Sequence, residues 1–303
     1  MNILVTGGSG FIGRNIVSLL KREGHTVGTL DIRDKDSEAD YHIIQDVRNI
    51  NVLLKACKGI DYVFHLAAVT SPPEFENLSG EGYDVNVIGT YNVLAASATN
   101  GVKRVILASS SSIYGQISVP AAETELPSTY TNLYPASKRI NEITGKIFLN
   151  YNVETIFLRY FNTYGIGENS KGSYSSVIWK FIDDIRNRRK PIIYGDGKQR
   201  RDFIYVKDTA RASVMAMENG KPGEAYNVGT GKSVDFNSVF QIVKEEMGYE
   251  GEAEHVPNPL KSYQYFTQAD MSKSNAELKF FPEYDVKKGV RDILDSNGVG
   301  SKR

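Results

Sequence analysis

Residues 6–13 read Thr6-Gly7-Gly8-Ser9-Gly10-Phe11-Ile12-Gly13, directly after the apolar run Ile3-Leu4-Val5 and at the head of a helical pattern over residues 11–23. Glycine at 7, 10 and 13 gives a Gly-x-x-Gly-x-x-Gly spacing. That spacing meets three needs: a tight turn, close approach of backbone to a pyrophosphate, and close packing of helix on strand. The helix that follows offers unpaired N–H groups and the positive end of its dipole. Such a turn alone also serves purely structural ends; its place between strand and helix favours a dinucleotide. The expected contacts there are Gly7, Gly10, Phe11, Ile12 and Gly13.

The alternation continues outward from this turn. Short β-rich runs at 26–30, 41–44, 61–64, 104–108 and 154–159 alternate with helical patterns at 52–57, 83–100 and 135–150. Uninterrupted apolar runs such as Val105-Ile106-Leu107 suit a parallel sheet covered on both faces. The expected fold is α/β, a Rossmann-type doubly wound parallel sheet. Beyond about Gly165, Gly and Pro punctuate the chain, and helices at 176–187, 206–218, 236–247 and 286–295 alternate with short strands. This reads as a smaller C-terminal α/β lobe that binds substrate. The expected division is 1–165, with returning segments near 192–230, for the dinucleotide, and 166–191 with 231–303 for the smaller lobe.

Bulk properties narrow the partners. Of 303 residues, 36 are basic and 36 acidic, so the formal net charge is zero. Nothing in that balance drives binding to nucleic acid or an anionic membrane. No apolar stretch approaches the ~20 residues of a membrane span, no leader is visible, and a cytoplasmic location is expected. The single cysteine, Cys57, has no partner for an internal disulfide and reads as packing. Four histidines and one isolated cysteine give no metal-ligand cluster, so no metal is expected.

Asp31 ends the second β run, where a carboxylate can accept from adenosine ribose hydroxyls and repel a 2′-phosphate. NAD is therefore favoured, although Arg33 nearby could accommodate that phosphate and Asp31 could simply be a solvated loop carboxylate. Asp46-Val47 and Leu66-Ala67-Ala68 follow the third and fourth runs and could line the adenine and ribose pocket, or be ordinary strand-to-loop chemistry. Tyr134-Pro135-Ala136-Ser137-Lys138 puts Tyr134 and Lys138 at i and i+4 on one helix face. An ammonium beside a phenol favours the phenolate and suits a general base for a sugar hydroxyl. Two surface side chains on an amphipathic helix would show the same spacing. The run Ser109-Ser110-Ser111-Ser112 follows the fifth strand, whose carboxyl end opens on the ligand crevice.

Together these residues resemble the extended short-chain dehydrogenase/reductases, and among them nucleotide-sugar epimerases of the UDP-glucose 4-epimerase type. The resemblance spans nearly the whole chain: TGGSGFIG at 6–13, Asp31, DVR at 46–48, HLAA at 65–68, VNVIGT at 85–90, SSSSIYG at 109–115, YPASK at 134–138, LRYFNTYG at 158–165, RRDFIYVKD at 200–208 and YNVGTG at 226–231. It implies Tyr134 as base, Lys138 as holder of the nicotinamide ribose and Ser110 as catalytic hydroxyl. Asn86 joins the cofactor-binding set as the asparagine that supports the active-site helix and its proton relay. Asn162 is implied to contact the sugar or its diphosphate and Arg201 to clamp the diphosphate, while Asp202 and Tyr205 brace that segment.

The resemblance further implies NAD as cofactor, a nucleotide sugar (UDP-hexose first) as substrate, a transient 4-keto sugar with enzyme-bound NADH, and a homodimer through the helices near 83–100 and 134–150. Dehydratases of this kind carry Asp-Glu where Ser111 and Ser112 stand, which favours epimerisation over elimination. The chain lacks the Arg-Pro-Gly-Asp turn that supplies a second phosphate clamp in many relatives; Lys261 could substitute. Thr267 falls where a bulky Tyr excludes N-acetylated sugars, which would leave room for UDP-GlcNAc and UDP-GalNAc. Other readings are a reductase or an epimerase of GDP-, dTDP- or ADP-sugars, or a non-catalytic NAD-binding regulator.

Overall fold

Alternate residues of the first strand go to opposite sides of one sheet. In β1 (Asn2–Thr6), Ile3 and Val5 pack into one apolar cluster and Leu4 into another, all fully buried. The computed structural model describes residues 1–34, 38–70, 75, 79–117, 120–130, 132–258 and 264–296. The further strands of this sheet are β2 (Thr26–Asp31), β3 (Tyr41–Ile44), β4 (Tyr62–His65), β5 (Arg104–Ser110), β6 (Glu154–Tyr160) and, late in the chain, β10 (Ala225–Val228). Every pair is parallel and the order is β10-β6-β5-β4-β1-β2-β3. The order reverses between β1 and β4, where a parallel sheet opens its ligand crevice. The expected fold class is the one observed.

Helices cover both faces. On one side α1 (Phe11–Arg22) buries Ile16, Val17 and Leu20 against Ile3, Val5 and Phe64. The other side carries α2 (Ile50–Ala56), α3 (Gly89–Asn100), reached through a π-helical turn at Asp84–Ile88, and α4 (Leu133–Phe148). Cys57 is a fully buried free thiol of this second core, and burial pushes it up to about 11.

A third cluster forms the smaller lobe. It joins Phe181 and Ile182 of α5 (Val177–Arg186), Phe203 and Tyr205 of β9 (Arg200–Tyr205), Val239 and Val243 of α7 (Phe236–Met247), and Val290 and Ile293 of α8 (Val286–Ser296). Two small sheets serve it: β9 flanked by β7 (Asn162–Tyr164) and β11 (Ser233–Asp235), and β8 (Ile192–Tyr194) beside β12 (Glu254–Val256). The expected returning segment contributes to both lobes: Ile193, Phe203 and Tyr205 pack in the small-lobe cluster, while Ile204 of β9, then α6 (Val206–Asn219) and β10, pack in the first. Met271, Leu278 and Phe280 also return to the first core, which short apolar spacing in a Gly/Pro-rich stretch did not reveal.

One buried ion pair locks α4 to the sheet. Arg159 Nε donates to Glu142 Oε1 at 2.9 Å and Nη2 to Oε2 at 2.9 Å, and Ser109 Oγ donates to Glu142 Oε1 at 2.7 Å. Burial pushes the Glu142 carboxyl up, but the hydrogen bonds and charge of Arg159 outweigh it and hold the group below the usual range. Among the described residues, no helix is long and apolar enough to cross a membrane. Arg159→Met leaves the buried Glu142 with the Ser109 hydroxyl and the partly exposed Arg139 and is expected to cost about 3–5 kcal/mol in denaturant unfolding. Replacing both partners by apolar residues of similar volume should recover most of that loss.

Candidate functional site

The carboxyl ends of β1 and β4 close on each other at Gly7. Its φ of +71° and the 2.6 Å between a built Cβ and the Ala67 nitrogen leave room for glycine alone. A Cβ at Gly13 would lie 2.2 Å from the Gly7 carbonyl oxygen, so that glycine lets α1 sit down on the turn. The Gly10 cap of α1 makes no side-chain hydrogen bond, and the first helical turn carries no acid. A cradle that any Cβ would fill, with a helix dipole open toward it, fits the pyrophosphate of a dinucleotide. At its rim Asp31 accepts from Ser9 N (3.0 Å) and Arg33 N (3.0 Å), one bond per oxygen, which leaves acceptor capacity for ribose hydroxyls. Asp46 differs: the Arg48 guanidinium grips both oxygens, and that hydrogen bonding holds the carboxyl below its usual range.

A cleft of about 1530 Å³ runs from this cradle across the sheet edge into the smaller lobe. It is lined by Gly7, Gly10, Phe11, Ile12, Gly13, Asp31, Asp46, Val47, Leu66, Ala67 and Ala68, and also by Ser110, Tyr134, Lys138, Asn162 and Arg201. Helix α4 brings Tyr134 and Lys138 there because Asn132 Oδ1 accepts from Tyr134 N (3.2 Å) and Pro135 sits in the first turn, where its missing N–H costs nothing. Val69, Phe75 and Val85 clamp the Tyr134 ring; the Phe75 ring meets it edge-on at 6.1 Å. Lys138 is 5% exposed and donates from Nζ to the Ala108 carbonyl at 3.0 Å. Burial lowers its ammonium to about 8. Ser110 Oγ accepts from Ser112 N at 3.1 Å, which leaves its hydrogen to donate elsewhere.

At the far end, Arg201 stands 5.8 Å from the Phe236 ring centroid and donates to the Arg200 carbonyl. Asn162 donates from Nδ2 to Thr267 Oγ1 (3.1 Å) and to Asp202 O (3.4 Å). Asp202 is fully buried; its carboxylate accepts from Thr230 N, Gly231 N and Ala269 N, so it braces the turn after β10.

Two expected contacts are corrected. Asn86 is 1% exposed and does not line the cleft; its amide bonds both backbone groups of Val69 and the Ser137 hydroxyl instead. Thr267 is 3% exposed, accepts from Asn162 and Asp202 N, and is not among the residues lining the main cleft; it lines a small recess of about 10 Å³ that shares Ser111, Gly115, Phe161 and Gln264 with that cleft. Lys261 lies outside the described residues. Phe236, Tyr174 and Gln264 line the cleft without having been foreseen, since a helix-start Phe and loop residues carry no local signal of a ligand. Among the described residues, no cluster of His, Cys, Asp or Glu is set to hold a metal ion.

The chain is similar to known proteins over nearly its whole length. The sequence model of the NAD dependent epimerase/dehydratase family matches residues 3–229. A protein of Methanocaldococcus jannaschii named "Putative UDP-glucose 4-epimerase" is 34% identical over 302 residues, 97% of each chain. The crystal structure of UDP-glucose 4-epimerase from Thermotoga maritima with UDP-glucose matches with a TM-score of 0.92 at 30% identity, over 98% of this chain and 99% of that one. UDP-N-acetylglucosamine 4-epimerase from Methanobrevibacter ruminantium, in complex with UDP-N-acetylmuramic acid, matches with a TM-score of 0.89 at 31% identity, over 97% and 98%.

The buried ammonium has a consequence for stability. Below about 8 Lys138 is charged in both folded and unfolded chains, and its burial is a standing cost. Between about 8 and its ordinary value of 10.5 the unfolded chain holds a proton the folded chain has released, so stability rises with pH. Lys138→Met is expected to stabilise the ligand-free protein at neutral pH by on the order of 1–3 kcal/mol, an advantage that shrinks through that window. Thermal unfolding across pH measures it; a variant less stable than the parent at neutral pH would contradict it.

Proposed function

The chain belongs to the NAD dependent epimerase/dehydratase family, as an NAD-using nucleotide-sugar epimerase, and from that premise we propose that it interconverts UDP-hexoses at C4. One observation carries this reading: Ser110, Tyr134 and Lys138 line the same cleft as the glycine turn and Arg201. When bound, NAD supplies a reversible oxidant for the sugar carbinol.

The chain's own residues do the rest. Tyr134 takes the proton of the sugar hydroxyl and returns it, and the Lys138 ammonium favours the phenolate. Ser110, its hydrogen free to donate, shares that proton's hydrogen bonds. Arg201 clamps the diphosphate through a planar fork suited to phosphate. Asn162 has spent its N–H groups on Thr267 and Asp202, so it offers its oxygen to a sugar hydroxyl. Ser111 and Ser112 supply no carboxylate for elimination, which leaves net isomerisation.

The decisive assay incubates purified protein, without added cofactor, with UDP-, GDP-, dTDP- and ADP-sugars, N-acetylated ones included. The C4 epimer of a UDP-hexose is expected, with no net NADH. Turnover confined to another nucleotide, or dependence on added NADPH, would overturn the reading. In the same assay Tyr134→Phe should lower turnover by roughly 10²–10⁴-fold with NAD content unchanged.

The working unit proposed is a homodimer through α3 and α4. Ile88, Tyr91, Ile143, Ile147 and Tyr151 stand 46–60% exposed, and Tyr91 packs edge-on to Phe148 of α4 at 5.9 Å, which makes the two helices one apolar face. Light scattering should give twice the chain mass, and Ile143→Glu with Ile147→Glu should give the single chain. A parent that is monomeric at micromolar concentration would remove the proposal.

A further inference from the structure

A column of buried polar side chains crosses the switch point of the sheet. Thr6 and His65 are the last residues of β1 and β4 and are paired partners in the sheet. Thr6 Oγ1 lies 2.7 Å from His65 Nδ1, and His65 Nε2 lies 2.9 Å from Thr90 Oγ1 on α3. Thr90 donates to the Asn86 carbonyl at 2.6 Å. The Asn86 amide donates to Val69 O and Ser137 Oγ and accepts from Val69 N, and Ser137 donates to the Tyr134 carbonyl at 2.7 Å. Thr6, His65, Asn86, Thr90 and Ser137 are each at most 4% exposed.

The direction of every proton follows. Thr90 has one hydrogen and gives it to Asn86 O, so its oxygen can only accept from the ring. Nε2 must therefore carry the hydrogen. Nδ1 is then bare and accepts from Thr6. The other tautomer would set two lone pairs against each other at 2.9 Å. Burial holds the ring neutral, its pKa down to about 3.

We propose that His65, locked as the Nε2–H tautomer, is a positioning residue that keeps the dinucleotide turn in register with the helix bearing Tyr134 and Lys138. One end of the column is the strand end that runs into Gly7 and, through His65, into Leu66, Ala67 and Ala68. Asn86 holds Val69 on that same loop, and Ser137 ends the column between the proposed base and its lysine. A shift of the cradle is transmitted to Tyr134 because these groups are buried and bonded to one another, Thr6 also accepting from Ala67 N of the cradle at 3.5 Å. The kinetic part rests on the proposed epimerase activity; the tautomer does not.

The test uses the full chain. Histidine side-chain nitrogen NMR, assigned by the signal lost in His65→Leu, should show a bare Nδ1 and a protonated Nε2 that stay unchanged from neutral to mildly acidic pH. A proton on Nδ1, or titration of that ring, overturns the assignment. His65→Leu and the isosteric Thr90→Val should each lower kcat roughly tenfold, leave KM for the nucleotide sugar near its parent value, and reduce the NAD retained through purification. The double variant should be no worse than His65→Leu alone. Ser274→Ala removes a buried hydroxyl bond to Asn227 O, neither residue lining the cleft, and serves as the stability control. If His65→Leu and Thr90→Val match that control, losing stability but keeping kcat and NAD, the positioning role is refuted.

Discussion

Everything in the cleft depends on how closely two parallel strand ends approach where the sheet reverses its order. Gly7 backs onto the amide of Ala67 with no space for a methyl group, and Thr6 and His65 join hydroxyl to imidazole directly beneath. That contact sets the height of the turn, and the turn sets where α1 points its free N–H groups. A larger residue at Gly7 would separate β1 from β4 and move both walls of the cradle.

The second wall is governed by buried charge. Glu142 sits two helical turns beyond Tyr134 on α4 and is gripped by Arg159 of β6, while Ser109 of β5 donates to the same carboxylate. Strand end, serine run and helix are thereby held as one block. Lys138 on the same face is neutralised by no carboxylate within the bonds observed; it rests on the Ala108 carbonyl, and burial lowers its affinity for a proton. The buried ammonium is energetically costly, and the Glu142–Arg159 salt bridge on the same helix supplies rigidity.

The smaller lobe works by bracing. Asp202 draws the turn after β10 and the chain at Ala269 onto β9, and Thr267 holds the Asn162 amide from behind. Neither Asp202 nor Thr267 is among the residues lining the cleft, yet their bonds occupy the Asn162 amide nitrogen.

Local rules were enough for much of this. A glycine turn between an apolar strand and a helix, period-2 and period-3.6 patterning, and a Tyr–Lys pair at i, i+4 are short-range signals, so the sheet, the cradle and the proposed catalytic face were legible from sequence. The division of β9 between two cores, the polar column through His65, the clamp of Phe75 on Tyr134 and the cleft residues Tyr174, Phe236 and Gln264 were not. Each joins residues far apart in the chain whose local patterns are those of ordinary strand ends, helix starts and loops. Hydrogen-bond direction and burial at such meetings are properties of the packed chain, and only the tertiary structure could decide them.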